Sequence, residues 1–509
     1  MLSRRDFLKA TGALAVAGGC ATAPRLDAGV VLNDLHSGLN ATSVAKVVQP
    51  ARAEDLAALV RQARQEGVGL SVMGGRHAMG GQQFGAGTVT IDTTAMNRVL
   101  AFDRDRGLVT VEAGIQWPAL IDHLLQTQSG QPRAWGIVQK QTGADRLSIG
   151  GAVAANIHGR GLRLAPFVGD VEALTLVDGR GELRRCSRTE NAELFRLVVG
   201  GYGLFGVVAT VTVRLTPRRK LERVVEVIDM QTLPERFEQR IAEGFLFGDC
   251  QYATDPASED FLRRGVFSCY RPLDDAAAMP EVQKELAVDD WNRLLYLSHA
   301  DKSRAFDFYS RYYLSTKGQR YWSDTHQLSV YIDGYHATLD RQLGGGPASE
   351  VITEVYARRA DLPRFLDAVR RDFRTHDVNV IYGTVRLIER DSETFLPWGR
   401  DRYACVIFNL HTAHAPDALA RTADHFRRLI DMSLAHGGSY YLTYHRHATR
   451  AQVEAAYPQF AEFLRLKRRW DPEERFQSEW YRHYRTMFPA AEQSHGPTSN
   501  TRSRRPRVQ

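Results

Sequence analysis

At 509 residues and 43% hydrophobic content, the chain is too long for one ordinary core and calls for two or more domains. Its formal charge of +7 sits mostly at the ends: Arg502, Arg504, Arg505 and Arg507 crowd the last stretch, and Arg4, Arg5 and Lys9 face only Asp6 in the first. A body near neutrality argues against a nucleic-acid partner, and scattered cysteines without C-x-x-C spacing argue against a thiolate zinc site; no metal site is expected.

In chain order, Ser3-Arg-Arg-Asp-Phe-Leu-Lys9 precedes an Ala/Gly run too short to span a bilayer. It resembles a twin-arginine export signal, a route for proteins already folded around a cofactor. Residues 1–27 are therefore expected to be a leader. Ala17-Gly18-Gly19-Cys20 also resembles a lipoprotein processing site, so a lipid anchor on Cys20 stands beside cleavage near Ala23 and a soluble periplasmic product. In an exported protein Cys186, Cys250, Cys269 and Cys405 could pair, with no connectivity given by their spacing.

After Val48, an acidic first turn and apolar residues at helical spacing (Leu56, Leu59, Val60, Ala63) predict a helix that stops at Gly67 and feeds a strand over 69–73. "GTVTIDTTAMNRVLAFDRDRGLVTVEAG" alternates like strands turning at Asp103 to Gly107, and "WPALIDHLLQTQ" is helical. "GDVEALTLVDGRGELRRCS" reads as a hairpin with its turn at Asp178-Gly179. A short helix, "NAELFRLVVGG", leads into a buried strand, "GVVATVTVRLTP", that ends at Pro217. A second domain is expected over 218–435, with strands at "EVITEVYA", "VNVIYGTVRLIE" and "YACVIFNLH" and helices at "DLPRFLDAVRRDF" and "DALARTADHFRRLIDMSLAHG". That order suggests an antiparallel sheet covered on one face. Residues 436–485 close the fold, and 486–509 read as a disordered basic tail.

A G-x-G-x-x-G run stands at Gly201–Gly206, but a dinucleotide fingerprint follows a strand and opens a helix, and here the order is reversed. Two other glycine clusters are better placed. "SVMGGRHAMGGQ" (71–82) follows the apolar strand, and in "TGADRLSIGGAVAANIHGRG" (142–161) Ser148 and Gly150-Gly151 precede a helical turn. Amides exposed by tight glycine turns, with the partial positive charge of a helix start, suit a diphosphate; an ordinary turn is the alternative for either cluster alone.

Taken with "VEAG", the block from "LVDGRGELRRCS" to "VATVTVRL" and the late "RRWDPEERFQS", these motifs occur in an order that closely resembles the vanillyl-alcohol oxidase/p-cresol methylhydroxylase superfamily of flavoproteins. The resemblance covers about Val48 to Pro217 and Gly437 to Tyr484. It implies an α+β fold: a two-part p-cresol methylhydroxylase-type FAD-binding domain over 40–217, and a substrate domain over 218–435 whose antiparallel sheet is covered by helices. By position it gives FAD contacts at Gly74, Gly75, Arg76, Ala78, Met79, Gln82, Ser148, Gly150, Gly151, Asn156 and Val207. His77 matches the position at which family histidines are joined covalently to the flavin 8α-methyl group, chemistry open to a neutral imidazole; noncovalent FAD beside His77 is the alternative. Members with a second linkage carry a cysteine where this chain has Asp145 and Arg146, so double attachment is not expected.

The stretch "VNVIYGTVRLIERDSETFLPWGRDRYACVIFNLH" resembles the sheet of the aldonolactone and alditol oxidases, with Arg386 at their substrate-facing arginine and Thr384 in place of a glutamate. That replacement speaks against a polyol-specific site. Asn409, His411, Glu354 and Tyr356 fall toward the same place if register holds. The segment from Tyr440 is similar to the carboxyl end of decaprenylphosphoryl-ribose oxidase, with Tyr444 near that enzyme's lysine. Tyr444 with a lowered pKa, or neutral His445, is the candidate base, and Arg386 and His411 complete the candidate catalytic set. An ion pair with Glu389 or Asp391 is the structural alternative for Arg386, as exposed loop positions are for His445 and His447. His411-Thr-Ala-His414 lacks the glutamate of a zinc-protease helix.

The implied activity is FAD-dependent oxidation of a CH–OH group of a sugar, sugar lactone, polyol or related alcohol by hydride transfer to flavin N5, with oxygen or another acceptor taking the electrons. Alternatives are a dehydrogenase of an amine or aromatic alcohol, similar to cytokinin dehydrogenases, and a flavin-bearing binding or electron-transfer protein without turnover.

Overall fold

The helix opened by Glu54-Asp55 spans Ala53–Gln65 and buries Leu56, Val60 and Ala63; Gly67, in the left-handed region at φ +68°, then turns the chain into strand Leu70–Met73. In the computed structural model, which describes residues 29–329 and 334–489, this strand and Lys46–Val48 flank Val89–Asp92 in a small parallel sheet. The export signal with Cys20 and residues 490–509 of the basic tail lie outside the described residues.

A larger antiparallel sheet follows in the order Leu183–Ser187, Val171–Val177, Val207–Pro217, Leu108–Glu112 and Val99–Asp103, with Trp135–Ile137 also paired to Val207–Pro217. Strand Val207–Pro217, expected to be buried, is fully buried at alternate residues, because the pleat turns Val207, Ala209, Val211 and Val213 to the core and their neighbours away from it. Cys186, Cys250, Cys269 and Cys405 are all buried and free, so no disulfide joins the described residues.

Asp170 ends the short turn Phe167–Asp170 ahead of strand Val171–Val177, and its buried Oδ2 has no hydrogen-bond partner among the described residues. Burial raises its pKa to about 7 against opposing pulls from Gln139 and Arg214. An acid with a raised folded pKa binds its proton more tightly in the native state. Stability is therefore highest at low pH on this account and falls as pH rises from about 4 through 7. Asp170→Asn should remove that slope and stabilise the protein at pH 8 by up to about 4 kcal/mol, read from denaturant midpoints at pH 5 and pH 8.

The third sheet is antiparallel and seven-stranded, in the order Arg320–Trp322, Lys220–Asp229, Arg264–Pro272, Phe247–Tyr252, Val380–Ile388, Tyr403–Ala413 and Ala348–Arg358. Alternation gives it two unlike faces. Val351, Val355, Val385, Val406 and Phe408 turn toward helices Leu362–Thr375 and Pro416–Ala435, where Phe373 meets Phe408 edge-on at 5.2 Å. The opposite face carries Glu350, Ile352, Glu354, Tyr382, Thr384, Arg386 and Asn409. Coverage of one face only was expected, but helices Val288–Ala300 and Lys302–Ser315 roof part of this polar face as well, with Tyr309 packed on Val225 and Val266.

The chain then returns to the first sheet. Leu70 N donates to Arg475 O and Gln477 N donates to Leu70 O, both at 2.7 Å, and Trp480 stacks on Tyr202 with centroids 4.8 Å apart. Asp471 of the "RRWDPEERFQS" run organises this return, accepting from Arg475 N and Phe476 N and pairing with buried Lys467.

Candidate functional site

Open sheets take ligands beyond the carboxyl ends of their parallel strands, and Gly74–Gln82 is the loop at such an end. Here the backbone is pressed against the facing segment. A Cβ on Gly74 would stand 2.1 Å from Ser148 Oγ, and one on Gly75 2.2 Å from the Arg146 carbonyl oxygen, so only glycine allows the approach. Arg76 follows in the left-handed region at φ 57°, and the amides of Gly75, Arg76, His77, Ala78 and Met79 have no backbone acceptor among the described residues. Successive N–H groups left open on such a turn form an anion-binding concavity.

Ser148 caps the short helix Ile149–Ala155: its Oγ accepts from Gly151 N at 3.2 Å, while Ile149 N and Gly150 N donate to Ile115 O (2.9 Å) and Ala113 O (2.7 Å). All three N–H groups are therefore taken up inside the protein. This helix start, expected to meet a diphosphate, lines the cavity with those N–H groups occupied, and the open amides belong to the facing loop.

His77 is buried, with Nδ1 3.0 Å from His36 Nε2 and with Nε2 lacking a partner among the described residues. Burial, helped by His36 and Arg146, lowers its pKa to about 3, so the ring is neutral at pH 7. Loop, helix start and the polar sheet face enclose one cavity of about 680 Å³, lined by Gly74–Met79, Gln82, Ser148, Gly150, Gly151 and Val207 at one end and by Glu354, Arg386 and Tyr444 at the other. A neutral histidine nitrogen without a partner, a row of open amides and this volume fit a flavin dinucleotide.

At the sheet end, Glu354 is the hub. His158 Nε2 lies 2.9 Å from its Oε1, which also accepts from Tyr356 Oη, Oε2 has a 3.4 Å contact from Tyr444 Oη, and the Cys405 thiol stands beside the carboxylate. Burial alone would raise the Glu354 pKa, but His158, Tyr356 and Arg386 outweigh it and hold the carboxyl below its usual range. Arg386, on the same face with strand Tyr403–Ala413 between it and Glu354, is buried, and its Nε has no partner among the described residues. Its alternative partners are engaged elsewhere: Glu389 with Arg359 and Arg402, and Asp391 with Asn156 and Thr394.

Comparison with known proteins agrees with this geometry. A profile of the FAD binding domain matches residues 44–187, and one of the twin-arginine translocation pathway signal sequence matches residues 1–19. The chain is 34% identical over 170 residues to an uncharacterized oxidoreductase of the fasciation locus of Rhodococcoides fascians, covering 33% of this chain and 37% of that one. It is 29% identical over 236 residues to cytokinin dehydrogenase 4 of Oryza sativa (43% of each chain), and 31% identical over 175 residues to L-gulonolactone oxidase of Bos taurus (34% of this chain, 38% of the other). Residues 44–187 thus belong to the FAD binding domain family, in keeping with the resemblance to the vanillyl-alcohol oxidase/p-cresol methylhydroxylase superfamily. The matched regions span less than half the length of these relatives. The superfamily's cofactor is FAD, and the amino terminus carries the twin-arginine signal. No helix of the described residues is long and apolar enough to cross a membrane.

Asn156, His445 and His411, assigned to the site from the sequence, do not line the cavity, and Tyr356 reaches it through Glu354. Asn156 sits in the left-handed region at the end of helix Ile149–Ala155, where its side chain donates to Asp391 and accepts from Val168 N; it shapes the wall from behind. His445 is half-buried rather than exposed and does not line the cavity; it stacks on His447 and meets Phe426 edge-on. Burial lowers its pKa to about 4, so it is neutral but too remote to act as a base. His411 faces Glu350, with Nδ1 3.2 Å from Oε1. Tyr444 does line the cavity, but burial first and Glu354 second push its pKa up, the opposite of what a base requires. His158, inside the second glycine cluster, and His36 carry no signal of a site role in the sequence. Both reach the site through contacts with residues far away in sequence. The rejected G-x-G-x-x-G run has the order expected of it, yet Gly203–Gly206 form part of the cavity wall.

Proposed function

We propose that this protein is an FAD-dependent oxidoreductase that oxidises a CH–OH group of a sugar, sugar lactone or related alcohol. Residues 40–217 and 436–485 hold the cofactor, and 218–435 cover the substrate. Bound FAD supplies a two-electron acceptor that takes hydride at N5. The open amides of Gly75–Met79 hold the diphosphate, and the neutral Nε2 of His77 is the nucleophile for a covalent bond to the flavin. Arg386 binds a substrate oxygen. Glu354 Oε2, which has a long contact to Tyr444 Oη, takes the hydroxyl proton, while His158 and Tyr356 keep the carboxylate ionised and oriented.

The observation that carries this reading is that Glu354 and Arg386 share one face of the sheet, buried at the far end of a cavity that begins at His77. L-gulonolactone oxidase among the relatives supports a lactone or sugar donor. A second reading has its own observation. Trp291, Phe306, Tyr309, Tyr312, Tyr313 and Tyr321 line the part of the cavity under the roofing helices, a wall suited to an aromatic or apolar substrate such as the cytokinin dehydrogenase relative's name implies. After removal of the leader the product is periplasmic, with an anchor at Cys20 as the variant form.

Anaerobic mixing of the flavin-loaded protein with aldoses, lactones, alditols, aromatic alcohols and amines tests both. Bleaching by lactones or sugars is the expected result. Bleaching by amines or aromatic alcohols alone would move the assignment to the second reading, and a flavin that none reduces would point to a carrier without turnover.

A further inference from the structure

We propose that His299, Glu350 and His411 bind a divalent transition-metal ion at the edge of the cavity. His299 projects from helix Val288–Ala300, and Glu350 and His411 stand directly opposite one another on neighbouring strands of the seven-stranded sheet. One nitrogen from each imidazole and one carboxylate oxygen lie within 4.8 Å of one another. The pairs are tighter still: His299 Nε2 is 2.9 Å, and His411 Nδ1 3.2 Å, from the same Glu350 oxygen. A tetrahedral ion with bonds of about 2.0–2.2 Å holds its ligand atoms about 3.3 Å apart, so small adjustments accommodate one.

The hydrogen bonding of His299 fixes which of its ring nitrogens faces the cluster. Its Nδ1 lies 2.9 Å from the Leu295 carbonyl oxygen, a group that only accepts, so Nδ1 carries the hydrogen. In the neutral ring the Nε2 lone pair then points at a carboxylate oxygen 2.9 Å away. Two acceptors at that distance repel, so a cation lies between them, either a proton that makes the ring an imidazolium or a metal ion held by both, and the metal is the reading proposed here. A backbone carbonyl on the far nitrogen is also the outer partner that metal-binding histidines use to fix their tautomer. His336 Nδ1, 2.8 Å from the other Glu350 oxygen, places a third imidazole beside the carboxylate, and Tyr335 Oη donates to that oxygen at 2.8 Å. An imidazole and carboxylate set without thiolate suits Zn²⁺, with Fe²⁺, Co²⁺ and Mn²⁺ as alternatives. The ion would pin the roofing helix to the sheet where Glu350 lines the cavity. This site is independent of the FAD reading.

Untagged, flavin-loaded protein dialysed against buffered zinc, followed by elemental analysis and zinc X-ray absorption, tests the site. One zinc per chain with nitrogen and oxygen neighbours only is expected, and Glu350→Gln and His411→Ala should each weaken binding more than ~100-fold, beyond the loss of an outer-shell partner. Retained flavin colour reports folding of each variant. Three results would overturn the site. A wild type that holds no zinc leaves a protonated imidazole beside the carboxylate, and unchanged affinity in both variants means binding elsewhere. A sulfur neighbour at about 2.3 Å moves the ion to the buried His158, Glu354 and Cys405 cluster.

Discussion

Acid-precipitated His77→Ala protein should release its yellow colour into the supernatant, whereas the wild-type pellet should stay yellow. The expectation rests on the one ring nitrogen in the loop that is buried, faces the cavity end and has no partner, while its sister nitrogen is fixed by His36. A residue acting only by packing would change flavin affinity without changing how the colour partitions after denaturation. A wild-type pellet that loses its colour would reject the bond and keep the cofactor. Protonation should not limit attachment between about pH 5 and 8, because the imidazole stays neutral down to about pH 3. The stability consequence has the opposite sign to that of Asp170. A histidine with a depressed folded pKa lets the unfolded chain take up protons first, so stability is lost as pH falls from about 6.5 through 3. His77→Ala should blunt that acid lability, read as a smaller drop in Tm between pH 7 and pH 5.

The cofactor end of the cavity was more legible in the sequence than the substrate end. Gly74, Gly75 and His77 form one continuous loop after an apolar strand, so their role is carried by local order. Tyr444 and His445 show the limit: neighbours in a loop point to different surroundings, and no pattern says which one meets the cavity. The strands Lys220–Asp229 and Phe247–Tyr252 gave weak signals because their polar residues face the interior. Asp249 and Gln251 line the cavity, and Arg223 bonds to Tyr270, so alternation does not mark an outside face there. Helices Val288–Ala300 and Lys302–Ser315 bury few residues each and carry aromatic residues into the cavity, which hid their apolar stripe. Glu354 with His158, and Glu350 with His299, depend on strand register and helix docking across long sequence separations. Spacing carries no trace of such pairs.

Glu354→Gln should retain flavin and its spectrum but slow anaerobic flavin reduction by the best donor roughly 10²–10⁴-fold, the range a general base contributes. Glutamine preserves volume and still accepts from Tyr356, so a purely structural role would leave the rate within a few-fold. The pH profile separates the two further. Because the carboxyl is held below its usual range, wild-type reduction should stay level through neutral and mildly acidic pH and fall only at strongly acidic pH. Tyr356→Phe removes one of the bonds that stabilise the charged form, and should move that acid limb upward without abolishing reduction. Arg386→Met should act chiefly on donor affinity, since its role is to bind oxygen rather than to move a proton. If Glu354→Gln reduces as fast as wild type and keeps the acid limb, the proton goes elsewhere. His158 is then the remaining cavity-lining group with a ring nitrogen at that carboxylate.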